Sequence, residues 1–310
     1  MRLTLKRLRR HTGLVAAVFG VTALASAVGV GIAGHIDASA TAGVQSGLAQ
    51  RSGGDLAYRA LLRVAENPEA QDEAVRAAIA DTFADVDAGI EVDRTVSARL
   101  STIPVVPGGV ERSALVMSVP DLESRATLVD GEWAAPGEVA IQADAAQELG
   151  VEPGQSVQID GVAFPVAGLW RAIDHLDPRW FGESLVQEGV EGPDLGPIVL
   201  DDVDWARFGD LEPRARWIVV PDPAEVTAAD LDRIVAAWDA AGDDWRQAAV
   251  PEVGTLERSG GFTRTAETLG LRIDGLRAIE PVALLLLAAI ALVTVNELAR
   301  LLSAGRAEET

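Results

Sequence analysis

Cysteine is absent from this 310-residue chain, so it can form no disulfide and offers no thiolate nucleophile or cysteine-based metal site. Lysine occurs once, at Lys6. A P-loop needs a glycine-rich turn followed by lysine at the phosphates, so this chain does not bind ATP in that way. The three histidines are His11, His35 and His175, and the first two sit at the ends of an apolar run, which excludes a histidine-rich metal site. No Gly-x-Ser-x-Gly nucleophile elbow occurs. Basic charge is scarce in the middle of the chain. From His35 to Ile279 there are 43 acidic residues against 19 arginines, a formal −24. Nucleic-acid binding needs basic surface to replace counterions, and that class is excluded.

Two long uncharged runs are present. Thr12 to Gly34 extends 23 residues without a charge, and Pro281 to Asn296 extends 16. At 1.5 Å per residue the first covers about 34 Å as a helix, enough for a hydrocarbon core of about 30 Å. Arg2, Lys6, Arg7, Arg9 and Arg10 precede it with no acid among them, which places the start of the chain in the cytoplasm. The expected order is a basic cytoplasmic tail over 1–13, a transmembrane helix over 14–34, an extracytoplasmic domain over 35–280, a second transmembrane helix over 281–302 and a cytoplasmic tail over 303–310. The lipid bilayer is the first partner this order implies.

A secretory leader is the alternative for the first run, since Ala38-Ser39-Ala40 has the small-x-small form of a cleavage site. The run exceeds a usual leader core, and its small residues are arranged. Ala16, Gly20, Ala23, Ala27, Gly31 and Gly34 follow 4-3-4-4-3 spacing and share one helical face, opposite Leu14, Val18, Val21, Val28 and Ile32. Such a face suits close approach of another membrane helix. The second run gives only about 24 Å and is short for a crossing. A buried domain helix is its alternative, but residues 282–293 are apolar on every side, and a soluble domain would have to enclose them completely.

Between the runs the pattern is mixed α and β, an α+β class with two subdomains expected. Asn67-Pro68 supplies an N-cap and a first-turn proline for a helix reaching about residue 83. Strand patterns follow near 90–100 and 113–119. Glu138–Ile141 reads as a strand and Asp144–Leu149 as a helix stopped by Gly150. Asp160-Gly161 between two apolar runs predicts a two-residue hairpin. Arg216–Val220 reads as a strand, Thr227–Asp230 as a capping box, and the segment from Thr263 as a helix running toward the second span with Leu269, Ile273, Leu276 and Ile279 in one stripe.

Candidate chemistry is sparse, and neither a catalytic residue, a cofactor nor a bound metal is expected. Asp174-His175-Leu-Asp177 is the one cluster with acid–base or metal-binding residue types, set in a proline-bearing loop where solvation is the usual fate. Asp201-Asp202-Val-Asp204 carries hard-cation donors without the glycine and terminal glutamate of an EF-hand, and reads as an exposed acidic turn. Trp170, Trp180, Trp205 and Trp217 are assigned to core packing ahead of a ligand surface.

Gly131-Glu-Trp133, Gly137-Glu138-Val-Ala-Ile141, Ala145-Ala146-Gln-Glu-Leu149-Gly150-Val-Glu-Pro-Gly154 and Phe164-Pro-Val166-Ala-Gly168, taken in order, resemble the extracytoplasmic core of FtsX-like ABC transporter permeases, the group that includes MacB. The residues that carry the likeness are Gly131, Trp133, Glu138, Leu149, Gly150, Gly154 and Gly168. Gly168–Arg171 with Asp177–Trp180, Pro197–Asp201 and Arg216–Pro223 resemble continuations in actinobacterial members. The resemblance implies a permease subunit, or its N-terminal half, working with a separate ABC ATPase subunit and a second permease copy. ATP hydrolysis would move the outer domain through stalk helices, about 35–50 and 263–280. Family members continue past the second span into further spans, whereas this chain stops at Thr310, so a truncated, split or degenerate permease or an incomplete gene model is expected. The competing readings are a membrane-anchored binding or sensor module without an ATPase, and an anchored enzyme using Asp174, His175 and Asp177 in one pocket.

Overall fold

The computed structural model describes residues 12–104, 111–209, 211–241, 245 and 256–304. The basic tail and the last six residues lie outside them. The chain divides into two compact units, residues 45–267 and a helical unit of residues 1–44 with 268–310.

The larger unit is built on one mixed sheet. Its strands are β1 (Tyr58–Arg63), β2 (Glu91–Pro104), β3 (Glu111–Ser118), β4 (Ala126–Gly131), β5 (Val139–Gln142), β6 (Ser156–Ile159), β7 (Val162–Ala172), β8 (Val190–Glu191), β9 (Asp194–Leu200), β10 (Arg214–Val220) and β11 (Glu257–Gly260). The order is β11-β1-β10-β2-β3-β9-β5-β7-β4, with β6 on β7 and β8 on β9. Only β3–β9 and β5–β7 are parallel among these pairs. The expected division into two subdomains gives way to a single sheet, because β2 pairs with β3 and β3 with β9 across the middle.

Local chemistry sets the ends of several elements. The Asn67 side chain accepts from the Ala70 amide at 3.1 Å and starts α2 (Pro68–Thr82) with proline in its first turn. Asp160 and Gly161 both have positive φ, 50° and 77°, which a tight hairpin turn between Ile159 and Val162 requires. The Asp230 carboxylate accepts from the Thr227 amide at 3.1 Å, half of the expected capping box, but the helix Asp230–Ala240 begins after Ala229, so Thr227 lies outside it and does not cap it. That helix and α2 share one face of the sheet with Tyr58 and Trp217. Trp217 donates its indole N–H to Asp72 on α2 at 2.7 Å, and Trp238 stacks on Tyr58 at 4.2 Å.

Alternation along the strands fills both faces. On β3, Ala114 and Val116 enter one cluster while Leu115 and Met117 enter the opposite one. On β5, Val139 and Ile141 part from Ala140 in the same way. β7 breaks the rule. Phe164 and Val166 lie in the first cluster, whereas Trp170, of the same parity, lies in the second. The register supplies the reason. Val139 pairs with Val166 and Ala140 with Gly168, so Ala167 is one extra residue and reverses the direction of every side chain after it. Trp170, Trp180 and Trp217 are fully buried, as core packing requires.

The helical unit contains most of α1 (Thr12–Ala49), an unbroken helix that continues fifteen residues past Gly34. It also contains the end of a helix over Phe262–Arg277 and all of the helix Glu280–Ala304. The expected continuous run from Thr263 is interrupted at 278–279, just ahead of Pro281, where proline favours a new first turn. Leu269 and Ile273 of the expected stripe are buried, but Ile279 is exposed, and the side chain of Leu276 lies outside the described residues. A Cβ built on Gly29 would lie 3.4 Å from Leu284, and Arg277 pairs with Asp37 at 3.9 Å. Arg277 ends the preceding helix and Leu284 lies in the last one, so the chain from Arg277 to Leu284 runs back along α1 from Asp37 to Gly29. Thr22 and Thr294 return their hydroxyls to Val18 and Ile290 carbonyls, both at 2.8 Å. Among the described residues, α1 alone is long and apolar enough to cross a membrane, and the apolar part of the last helix, Pro281–Glu297, is shorter.

Candidate functional site

A cleft of the sheet unit with a volume of about 690 Å³ opens where the parallel strands β3 and β9 both end. Val119, Leu122 and Trp133 give it an apolar wall, and Asp121, Glu123 and Asp201 stand among its lining residues. At its base Asp202 accepts from the Ser118 hydroxyl at 2.5 Å and from Arg94 Nη1 at 2.6 Å. Arg94 is buried, and its Nε has no partner. The buried Arg94 holds the Asp202 carboxylate in place beside the serine hydroxyl. The arrangement suits binding of a polar, donor-rich or cationic group beside an apolar wall. It provides no histidine to relay a proton.

Asp174, His175 and Asp177 do not act on a common centre. Asp174 accepts from the Leu176 amide at 2.8 Å, closing its own turn, and its backbone carbonyl accepts from the Trp180 indole at 3.1 Å. Asp177 caps the short helical turn Pro178–Trp180 through the Arg179 amide at 2.9 Å and pairs with the Arg179 side chain at 2.5 Å. Burial pushes the Asp177 carboxyl up, but the Arg179 hydrogen bonds outweigh it and hold the group below the usual aspartate range. Asp174 and Asp177 are thus each engaged by local partners, and His175 is exposed.

The acidic run after β9 is an exposed turn at Asp201, Asp202 and Val203, as expected, but Asp204 departs from it and is buried. Asp201 accepts from the Val203 amide at 3.0 Å, Asp202 faces Arg94, and Asp204 is buried, accepting from the Gly137 amide at 2.8 Å and Arg207 at 3.3 Å. The three carboxylates serve different partners. Among the described residues no group of three metal-ligating side chains gathers at one point.

The motif residues build the frame beside the cleft. Gly131, at the end of β4, faces Gly168 on β7. Trp133 lines the cleft, half-buried. Glu138 accepts from the Ala135 amide at 3.1 Å and closes the turn into β5. Leu149 is buried at the end of the helix Ala143–Leu149, which Gly150 ends with φ 67°. Gly154, φ 88°, donates to the Val166 carbonyl at 2.8 Å. Of these, only Gly131 and Gly168 are brought together.

On α1, the stripe Ala16, Gly20, Ala23, Ala27, Gly31 and Gly34 is exposed, and a Cβ on Gly20, Gly31 or Gly34 would meet nothing within 4 Å. The partly covered face is the opposite one, Val18, Val21, Ala25, Gly29 and Ile32. Sequence reasoning missed the charge ladder of β2, in which Asp93 meets Arg125 at 2.5 Å, Arg94 meets Asp202, and Thr95 meets Arg216 at 2.5 Å. The alternation Asp93-Arg94-Thr95 within a strand pattern was its one visible signal.

No family model matches this chain, and no curated protein matches it. Among solved structures, the periplasmic region of MacB from Actinobacillus actinomycetemcomitans is similar with a TM-score of 0.36 at 11% identity, over 70% of this chain and 92% of that one. A Bacillus anthracis protein described as a lipoprotein is similar with a TM-score of 0.27 at 12% identity, over 66% of this chain and 99% of that one.

Proposed function

We propose that this chain is a permease-type subunit of an ABC transporter complex, in which a separate ATPase drives motion of an extracytoplasmic α+β domain. The observation that carries the reading is that the chain from Arg277 to Leu284, leading into the second apolar helix, runs back along α1, with Gly29 against Leu284 and Asp37 beside Arg277. If α1 crosses the bilayer outward, a helix paired against it in the opposite sense returns, even though its apolar length is short. The ordered motif from Gly131 to Gly168 supports the same reading through its resemblance to FtsX-like permeases. The exposed small-residue stripe of α1 is then the face toward a second permease copy or a missing permease half.

The test is purification of the tagged full chain from its native membrane in mild detergent. A co-purifying subunit with a Walker A motif, and ATP turnover in the eluate, are expected. An intact, membrane-extracted chain that elutes without any nucleotide-binding subunit would overturn the proposal. The acid-bearing cleft of about 690 Å³ favours a second reading, an anchored binding module that works without an ATPase.

A further inference from the structure

Arginine is outnumbered more than two to one by acids between His35 and Ile279, yet four arginines meet in one cleft. β1 supplies Arg59, β2 supplies Arg99, and β10 supplies Arg214 and Arg216. The register pairs Leu61 and Thr95 with Arg216 and Ser97 with Arg214, which puts all four arginines on one face of the sheet. The cleft they line has a volume of about 330 Å³ and also includes Glu183 and Glu212.

Ion pairing within the fold accounts for two of the four. Arg214 donates to Glu257 at 2.8 Å, and Arg99 pairs with Asp194 at 2.9 Å and Glu183 at 3.4 Å. Arg59 and Arg216 have no carboxylate within ion-pair distance among the described residues. Arg59 donates to the Ser259 hydroxyl at 3.2 Å and lies 4.6 Å over the Phe181 ring. Arg216 is only 5% exposed, and it donates to the Thr95 hydroxyl at 2.5 Å and to the Met117 sulfur at 3.9 Å. Burial pushes its guanidinium down to about 10, with Glu183 opposing and Arg59 adding to the effect. A buried charge without a counterion is strongly disfavoured, and a buried guanidinium offers five N–H donors to whatever fills the space beside it. Arg59 lies opposite Ile218, so Arg216 is its diagonal neighbour across the ladder, about 7–8 Å away.

We propose that this cleft binds a small organic anion, which presents its carboxylate or phosphate group to Arg59 and Arg216. Planar guanidinium forks match both oxyanions, and the cavity is at the small end of ligand sites, suited to an anion of a few carbons. Glu183 and Glu212 limit the charge the site accepts. The proposal stands apart from the permease reading, since it needs neither an ATPase nor the membrane.

The experiment is calorimetric titration of the full chain in detergent with inorganic phosphate and, separately, with succinate. Saturable binding of at least one anion is expected, and the one that binds identifies the oxyanion class. Arg59→Gln weakens it about tenfold or more, as expected for loss of a charged hydrogen bond. Glu183→Gln strengthens it, an effect a merely structural glutamate would not give, and Arg233→Gln on a distant helix leaves it unchanged. Arg216→Met abolishes binding; should that variant misfold, Arg59→Gln and Glu183→Gln decide the matter. Absence of saturable binding with both anions, or wild-type affinity in both deciding variants, overturns the proposal.

Discussion

Gly131 and Gly168 face each other across the β4–β7 ladder with no room for a methyl group on either. A Cβ on Gly131 would lie 2.2 Å from the Ala167 carbonyl oxygen, and one on Gly168 would lie 2.3 Å from that of Glu132. Both collisions are with backbone, which cannot swing aside as a side chain can.

Gly168→Ala therefore destabilises the sheet unit by about 3 kcal/mol or more, in the range reserved for overpacking and backbone strain. Gly154→Ala is the internal contrast. Gly154 also has a positive φ of 88°, but nothing lies within 4 Å of its Cβ position. Its cost is conformational alone, about 1–2 kcal/mol. Thermal unfolding of the two variants side by side separates contact from conformation, and equal shifts would contradict the assignment.

Tyr58 is the chain's one tyrosine, so tyrosinate absorbance reports this site alone. Burial pushes its phenol up to about 12, with the Thr263 hydrogen bond opposing and the charge of Asp239 adding. The folded value lies above the unfolded value of 10.0, so the stabilisation is whole below pH 10 and is lost as pH rises from 10 to about 12. The loss is on the order of 2 kcal/mol. Tyr58→Phe keeps the stack on Trp238 and should flatten stability over that window.

Asp93→Ala strands the buried guanidinium of Arg125, which is 6% exposed and bonds to Asp93 through both Nη atoms. Breaking one partner from a buried pair costs about 3–5 kcal/mol. Arg171→Ala removes an exposed pair with Asp144 and changes stability by about 1 kcal/mol or less. Chemical denaturation of the two variants measures the difference.

The absence of cysteine makes the helix pairing directly testable. Cysteines placed at Gly29 and Leu284 should be bridged within one chain by a short bifunctional thiol reagent, because the Gly29 Cβ position is 3.4 Å from the Leu284 side chain. The pair Gly31 and Leu284 should give little bridging, since a Cβ on Gly31 meets nothing within 4 Å. Equal yields from the two pairs would dismiss the packing described for α1.

Features set by neighbouring residues were readable in the sequence. The Asn67 cap, the Asp160-Gly161 turn and the Gly150 stop each need only a few consecutive side chains. The strand β10 was anticipated at Arg216–Val220, but not that Arg216 would face Thr95 beneath a cleft, because that depends on pairing with β1 and β2. Two subdomains were expected from the length between the two apolar runs; the β3–β9 pairing that makes one sheet joins segments about eighty residues apart in sequence and leaves no local mark. Asp204 looked exposed because its partner, the Gly137 amide, lies on a distant loop.

The extra residue at Ala167 acts on β7 as a single-base insertion acts on a reading frame. Upstream of it, even-numbered side chains point into one core; downstream, they point into the other. Removing Ala167 would restore uninterrupted alternation and send Trp170 toward the face that holds Val166, away from its stack with Trp180 at 6.0 Å. A change in how many residues the strand has redirects every side chain beyond it, whereas a substitution such as Gly168→Ala acts at one position.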